Sequence, residues 1–287
     1  MKLWSLIVLS LALCAAAPAV DLPFKRKQQE FQTRKPNEVS ETLQKGTPTE
    51  RNDLSRELGI LAPVPGDSAA KPSSPCVDFT KVQERTVTLR ANAENVVLVA
   101  DSSACDSTYL VFFDKAPKSE WRHVQTVRLT ARTVHPEVAF TELIHPGVSE
   151  IVVRHEVTRD SGSLFQQDFV VLKLLHDRVE VVLTATERSQ ITLANRKPEE
   201  TDILQQTQKS TFDLLKSTPN SSAAYRILEK QVITDNKTTV SRAVLWTWNA
   251  ELERFRPTPY DGGDAKPAPP AKKPASSPAK PPSPTPK

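Results

Sequence analysis

The chain has 287 residues, a formal net charge of +4, 24 prolines and only 7 glycines. Seven prolines lie between Val20 and Pro75, nine between Asp264 and Lys287, and seven across the long stretch from Cys76 to Tyr260, so the middle is the span able to bury one sizeable core. The charge is also terminal: the last 24 residues hold five Lys against one Asp, and without these and Lys2 the chain carries 32 basic and 33 acidic side chains, which excludes an obvious nucleic-acid surface on the core.

Residues 1–19 carry Lys2, an apolar run from Leu3 to Leu13 and the small-x-small ending Ala17-Pro18-Ala19. This is the layout of a secretory signal peptide, and the run is too short to span a bilayer. Cleavage after Ala19 makes Val20 the mature start and the compartment secreted or periplasmic. A competing reading takes Cys14 as the acylated residue of a lipid-anchored protein, although Leu13 is bulky where such signals carry Gly, Ala or Ser. From 20 to 75 the sequence is charged and rich in Pro, Ser and Thr, with Phe24 and Phe31 as its aromatics. Such a segment reads as a mostly disordered linker, because it lacks the apolar area needed to offset ordering entropy. Within it Leu54, Leu58 and Leu61, spaced i, i+4, i+7 behind Asn52 and Asp53, predict a short helix over 53–61 that ends before Pro63.

At Cys76 the texture changes to alternation of β-branched and polar residues, so 76–260 is expected to be the β-rich domain. Val87, Leu89 and Ala91 share one face. Val96–Ala100, Tyr109–Phe113, Val124–Leu129, Val138–Leu143, Ile151–Val157 and Phe165–Leu175 each predict a strand, and Val179, Val181, Leu183 and Ala185 continue the pattern. Phe169–Leu175 is apolar on both faces except at Lys173, which places it at the centre of a sheet. Pro198–Ser217 reads as a helix or loop followed by a strand. Tyr225–Ile233 and Val240–Trp248 flank the turn residues Asp235 and Asn236 as a hairpin, and a turn near Asn249 and Ala250 returns the chain through Phe255. The predicted fold class is all-β, mainly antiparallel, as a sandwich or a partial propeller-like sheet. The tail, 261–287, repeats Lys, Pro, Ala and Ser. It is expected to be an extended cationic segment, either in contact with an anionic surface such as the cell envelope or acting as a solubilising spacer.

With Cys14 removed, Cys76 and Cys105 form an even pair separated by 28 residues. In an oxidising compartment they predict a disulfide, whose loop of about 30 residues would contribute roughly 3 kcal/mol; two free thiols are the alternative.

The five histidines, His123, His135, His145, His155 and His176, all fall between 123 and 176. Glu120 with His123 and Glu142 with His145 form E-x-x-H spacings, which gather metal ligands when a helix brings i and i+3 to one face. On a strand those positions point apart. A metal site drawn from His123, His145, His155, Glu142 and Glu150 therefore stands as the less favoured reading, with half-buried sheet histidines as the other. Asp160-Ser161-Gly162 resembles a serine-protease nucleophile loop over three residues, yet between two strands it reads better as a hairpin loop. There is no dinucleotide fingerprint, phosphate loop, H-E-x-x-H or calcium loop, so no cofactor is expected. Asn220 and Asn236 begin N-glycosylation sequons that matter in a eukaryotic source and are turn residues otherwise. Trp246, Trp248 and Phe255 form the richest aromatic patch, either a contact platform or core packing.

Val138–Leu143, then Pro146-Gly147-Val148-Ser149-Glu150, then Ile151–Arg154, resembles the strand, turn and strand of an FG-GAP or VCBS type propeller repeat over about 20 residues. The resemblance implies a degenerate partial set of blades of the kind found in secreted bacterial proteins. Those repeats carry an Asp-rich calcium turn that is missing here, so calcium binding is not implied. The sequence thus supports an exported, non-enzymatic binding or structural module with no catalytic residue assigned. Its partner would be a protein or cell-envelope component, with no specific nucleic-acid binding and no transmembrane segment after signal cleavage. The alternative is a metal-dependent hydrolase that uses the histidine cluster 123–176.

Overall fold

The computed structural model describes residues 34–61, 77–91, 93–102, 105, 107–115, 120–130, 136–159, 164–193, 204–219, 221–236 and 238–261. Residues 1–19 and most of the cationic tail lie outside them, as do Cys76, His135, the 160–163 loop and Asn220. Among the described residues two helices come first, α1 (Pro36–Lys45) and α2 (Pro48–Glu57). Twelve strands follow: β1 (Phe79–Val87), β2 (Asn95–Ser102), β3 (Ser107–Lys115), β4 (Trp121–Thr130), β5 (Glu137–Thr141), β6 (Glu150–Arg159), β7 (Leu164–Leu175), β8 (Arg178–Leu193), β9 (Leu204–Lys216), β10 (Tyr225–Thr234), β11 (Thr239–Asn249) and β12 (Arg254–Pro259). They form a four-stranded sheet in the order β1-β2-β3-β4 and an eight-stranded sheet in the order β12-β11-β10-β9-β8-β7-β6-β5. Strands that follow one another in sequence and pair within a sheet do so antiparallel. The fold is therefore all-β and antiparallel, as the alternation predicts.

Side-chain parity builds the layers. On β2 and β3, Val96, Leu98, Ala100, Tyr109, Val111 and Phe113 face a first core, and Val97, Leu110 and Phe112 face a second. The second core is the sandwich interior, because Val127 and Leu129 of β4 meet Ile151, Val153, Val170, Leu172 and Val179 of the larger sheet there. β7 sends Val170, Leu172 and Leu174 into this core and Phe169, Val171 and Leu175 into a third, so it is buried on both faces as its apolar run predicts. The third core exists because the larger sheet doubles back: Phe212, Ile227, Trp246, Trp248 and Phe255 of β9–β12 close over Val152, Phe169, Val171 and Leu183 of β6–β8. Phe169 and Phe212 stack with ring centroids 4.2 Å apart.

The first core corrects the reading of 34–61 as part of a mostly disordered linker, while the rest of 20–75 lies outside the described residues. Val39 and Leu43 of α1, with Leu54 and Leu58 from α2 and its cap, pack against β1–β3, so the packed unit takes in α1 and α2 as well as the described strands from Val77 onward. The helix placed at 53–61 starts earlier, at Pro48, and α1 precedes it. Local chemistry explains both. Thr47 and Glu50 form a reciprocal capping box with Pro48 in the first turn. Gly59, at φ 71°, ends α2 in a Schellman motif, with the Ile60 N–H donating to Ser55 O and the Gly59 N–H to Arg56 O. Between the helices a Cβ at Gly46 would meet the Thr42 carbonyl oxygen at 2.5 Å, so this sharp corner needs glycine. The Gln44 amide then donates to the Val82 carbonyl of edge strand β1.

Two further differences are local. The chain turns after Val87, so Leu89 does not extend a strand but reaches the second core from the β1–β2 loop, its N–H held by Asn95 Oδ1 at 3.0 Å. Within the 198–217 stretch, Leu204–Lys216 is a strand paired with β8 and β10, and 198–203, where a helix or loop is expected, lie outside the described residues.

Candidate functional site

Glu150, offered as a metal ligand, is committed elsewhere. It starts β6 on the face of Val152, is fully buried, and its Oε1 accepts a 2.7 Å bond from Lys173 Nζ of β7. Its Oε2 accepts the backbone N–H groups of Leu143 and Ile144. The carboxylate thereby folds the 142–149 loop back onto its own strand, while the Ala224 and Tyr225 N–H groups bind the carbonyls of Ile144 and Leu143 from the opposite layer. The Lys173 ammonium also lies 5.9 Å from the Trp248 ring centroid. An ion pair removed from water persists only when its remaining valences are filled, and here they are filled by backbone and ring.

The aromatic patch lies inside the fold. Phe255 is buried in the third core and meets Trp248 edge-on at 5.5 Å, with Trp246 packed alongside. Trp246 Nε1 donates to Glu229 Oε2 at 2.9 Å, and Glu229 Oε1 accepts from Ser210 Oγ at 2.8 Å and Gln231 Nε2 at 2.6 Å. Gln231 is in turn held by the Arg242 guanidinium. Glu229, at 1 % exposure, is thus a hub that ties β9, β10 and β11 through neutral donors.

The candidate metal ligands sit in different environments. His155 is buried on β6 on the face of Ile151 and Val153, opposite Asp168 of β7, and hence on the other face from Glu150. His145 and Glu142 are exposed in the β5–β6 loop. His123 lies on β4, its Nε2 3.0 Å from Thr126 Oγ1 and its ring beside Phe113. Burial pushes its pKa down to about 4, against a weaker opposing hydrogen bond at Gln125. His176 adopts φ 54° in the β7–β8 turn. Among the described residues no three of His, Cys, Asp and Glu gather as a metal-holding group.

The β7–β8 turn closes the sandwich electrostatically. Arg90 and Arg122 both reach Asp177, at 3.1 and 3.3 Å, and Asp114, at 3.6 and 3.3 Å. The Arg90 hydrogen bond, more than the charges around it, lowers the pKa of Asp177. Gln125 Oε1 accepts the Val179 N–H beside this clamp. Asn236, in the β10–β11 turn, accepts the Gln205 N–H at 3.0 Å. A shallow depression of about 480 Å³ lies between the β1–β2 turn and Gly147, next to Glu94, which Lys115 already engages.

The outward face of β9–β12 is different. Of the large apolar side chains left exposed among the described residues, Val232 lies on this face, Leu214 and Val240 share the face of Ile227 and Trp246, and Leu252 sits in the β11–β12 turn. Because Ile227, Trp246, Trp248 and Phe255 turn inward, alternation turns Arg226, Thr247, Arg254 and Arg256 outward. None of these three arginines forms an ion pair among the described residues.

In comparisons with known proteins, no family model, no curated protein and no solved structure matches the chain. Residues 138–154 span the edge hairpin β5–β6 of the larger sheet. No helix among the described residues is long and apolar enough to cross a membrane. Two features escaped the sequence reading. Glu229 and Gln231 follow Ile227 at period 2, a signal of polar residues on an inward face, and the arginines come from two strands whose register only pairing determines.

Proposed function

We propose that the chain is an exported, secreted or periplasmic β-sandwich module that acts by binding a protein or cell-envelope component, with the Lys- and Pro-rich tail adding cationic contact. The observation that carries this reading is the exposure of Leu214, Val232, Val240 and Leu252, large apolar side chains on the two faces of β9–β11 and in the β11–β12 turn that the described fold leaves in solvent. The internal carboxylates Glu150 and Glu229 are spent on structural bonds, which favours binding over their use as catalytic groups. The test is saturable binding of the full-length mature chain to an isolated envelope fraction. V232S/V240S/L252S should weaken it at least tenfold with an unchanged thermal midpoint, and wild-type affinity in that variant would overturn the reading.

The same reading includes a Cys76–Cys105 disulfide. Phe79, three residues after Cys76 in sequence, pairs with Ser102, three residues before Cys105, which is compatible with a bridge between the two. A mass two hydrogens below the reduced chain, starting at Val20, supports both the bridge and the export; acylation at Cys14 would replace secretion with a lipid anchor.

A further inference from the structure

We infer that Arg226, Arg254 and Arg256 form a phosphate-binding face that seats the protein on the headgroups of an anionic lipid bilayer; this rests on the binding-module reading and names its partner. Thr247 pairs with Arg256 on one side and, continuing the Ile227–Trp246 register, with Arg226 on the other. Two interstrand steps separate Arg226 from Arg256 by about 10 Å, and two residues of strand separate Arg254 from Arg256 by about 7 Å. Three long cationic side chains on one flat face can therefore converge on a shared oxyanion or on neighbouring headgroups.

Their bonding state points outward. Among the described residues Arg226 and Arg256 make no side-chain hydrogen bond, and Arg254 uses its Nε on Leu252 O, which leaves its terminal nitrogens without a partner there. Arg226 Nε is out of contact with water and still has no acceptor. Elsewhere the buried or half-buried arginines are claimed by acids, as Arg90 is by Asp114 and Asp177 and Arg154 by Glu187. Guanidinium forks left open in this way match the bidentate geometry of phosphate oxygens. Glu251 and Glu253 occupy the adjoining β11–β12 turn, and neither pairs with the three arginines.

Two features favour a bilayer over a soluble polyanion. Leu252, 45 % exposed, protrudes from the turn just before Arg254, where it can enter the headgroup boundary. In sequence, the strand that carries Arg254 and Arg256 is followed closely by 264–287, which holds five Lys against one Asp. Clustered cations beside an apolar anchor make the two-signal arrangement that stable attachment to a charged leaflet needs.

The experiment is flotation of the full-length chain with phosphatidylcholine vesicles, with and without about one-third phosphatidylglycerol, at two salt concentrations. Binding is expected on the anionic vesicles alone. R226Q/R254Q/R256Q should weaken it on the order of 100-fold, about fivefold per cation, with an unchanged thermal midpoint. The charge-matched variant K35Q/K45Q/K81Q should stay within about threefold of wild type, since each of its substitutions lies away from the β9–β12 face. Replacing Lys266, Lys272, Lys273, Lys280 and Lys287 by Gln should weaken binding further in combination. Wild-type vesicle affinity in the triple arginine variant would overturn the proposal. Saturable envelope binding without phosphatidylglycerol binding would overturn it too while leaving the binding-module reading intact, as would retention on polyphosphate or a sulfated polysaccharide in place of vesicles.

Discussion

Replacing Glu150 by Gln tests the central claim about the interior, that this carboxylate exists to neutralise Lys173 and anchor a loop. The substitution keeps the volume and a carbonyl oxygen able to accept from Leu143 and Ile144. It removes the charge that lies 2.7 Å from an ammonium at 7 % exposure. Breaking one partner of a buried pair costs about 3–5 kcal/mol, because the survivor is left charged in an apolar surround. Against a total stability of about 5–15 kcal/mol, E150Q should be severely weakened. K173M should also be costly, since it strands the carboxylate with two N–H donors. E150Q/K173M, which leaves no charge to strand, should recover to within about 1–2 kcal/mol of wild type, as neutral replacements of buried pairs commonly do. The assay is urea unfolding followed by far-UV circular dichroism and by tryptophan emission, which Trp248 beside Lys173 should report. Equal m-values are required before the midpoints are compared. An E150Q loss below about 1 kcal/mol, or single losses that add to within about 0.5 kcal/mol in the double variant, would refute the pairing as an energetic unit.

Other outcomes follow from the geometry. G46A brings a Cβ against the Thr42 carbonyl oxygen and should cost on the order of 1–3 kcal/mol by overpacking, read as a lower urea midpoint; an unchanged midpoint would sink the close-approach argument. T47A removes the α2 cap and should cost about 1 kcal/mol, with faster amide exchange at Glu50 as its local signature. His123 titrates at about 4 in the fold and near its ordinary 6.5 in the unfolded chain. Its contribution to stability is therefore complete above pH 6.5 and is lost as pH falls toward 4, by at most about 1.4 kcal/mol per unit. H123Q should flatten that slope, and an identical slope would show that the ring is not the group responsible. R122Q removes an arginine that is 45 % exposed in its side chain, and Arg90 still covers Asp177, so it should cost under about 1 kcal/mol and become neutral in high salt.

Much of the molecule was legible along the chain because a strand writes its faces at period 2. The alternation on Val96–Ala100 and Tyr109–Phe113, the doubly apolar Phe169–Leu175, and the Asp235-Asn236 hairpin all survive in β2, β3, β7 and the β10–β11 pair. What the alternation cannot carry is which surface each face meets. Val39 and Leu43 are two apolar positions in a charged ten-residue helix, too little to hold a fold alone, and they become a core only because β1–β3 offer a second apolar face. The 204–216 stretch is a strand because β8 and β10 supply partners on both sides, whatever its local preference. Glu150 looked like a candidate ligand until Lys173, 23 residues away, proved to be its partner. The three arginines became a cluster when β10, β11 and β12 fell into register. Local sequence determined the faces of this protein. Its buried charge partners and its open cationic surface were decided by pairings between distant residues, because the free energy of a charge depends on what surrounds it in space.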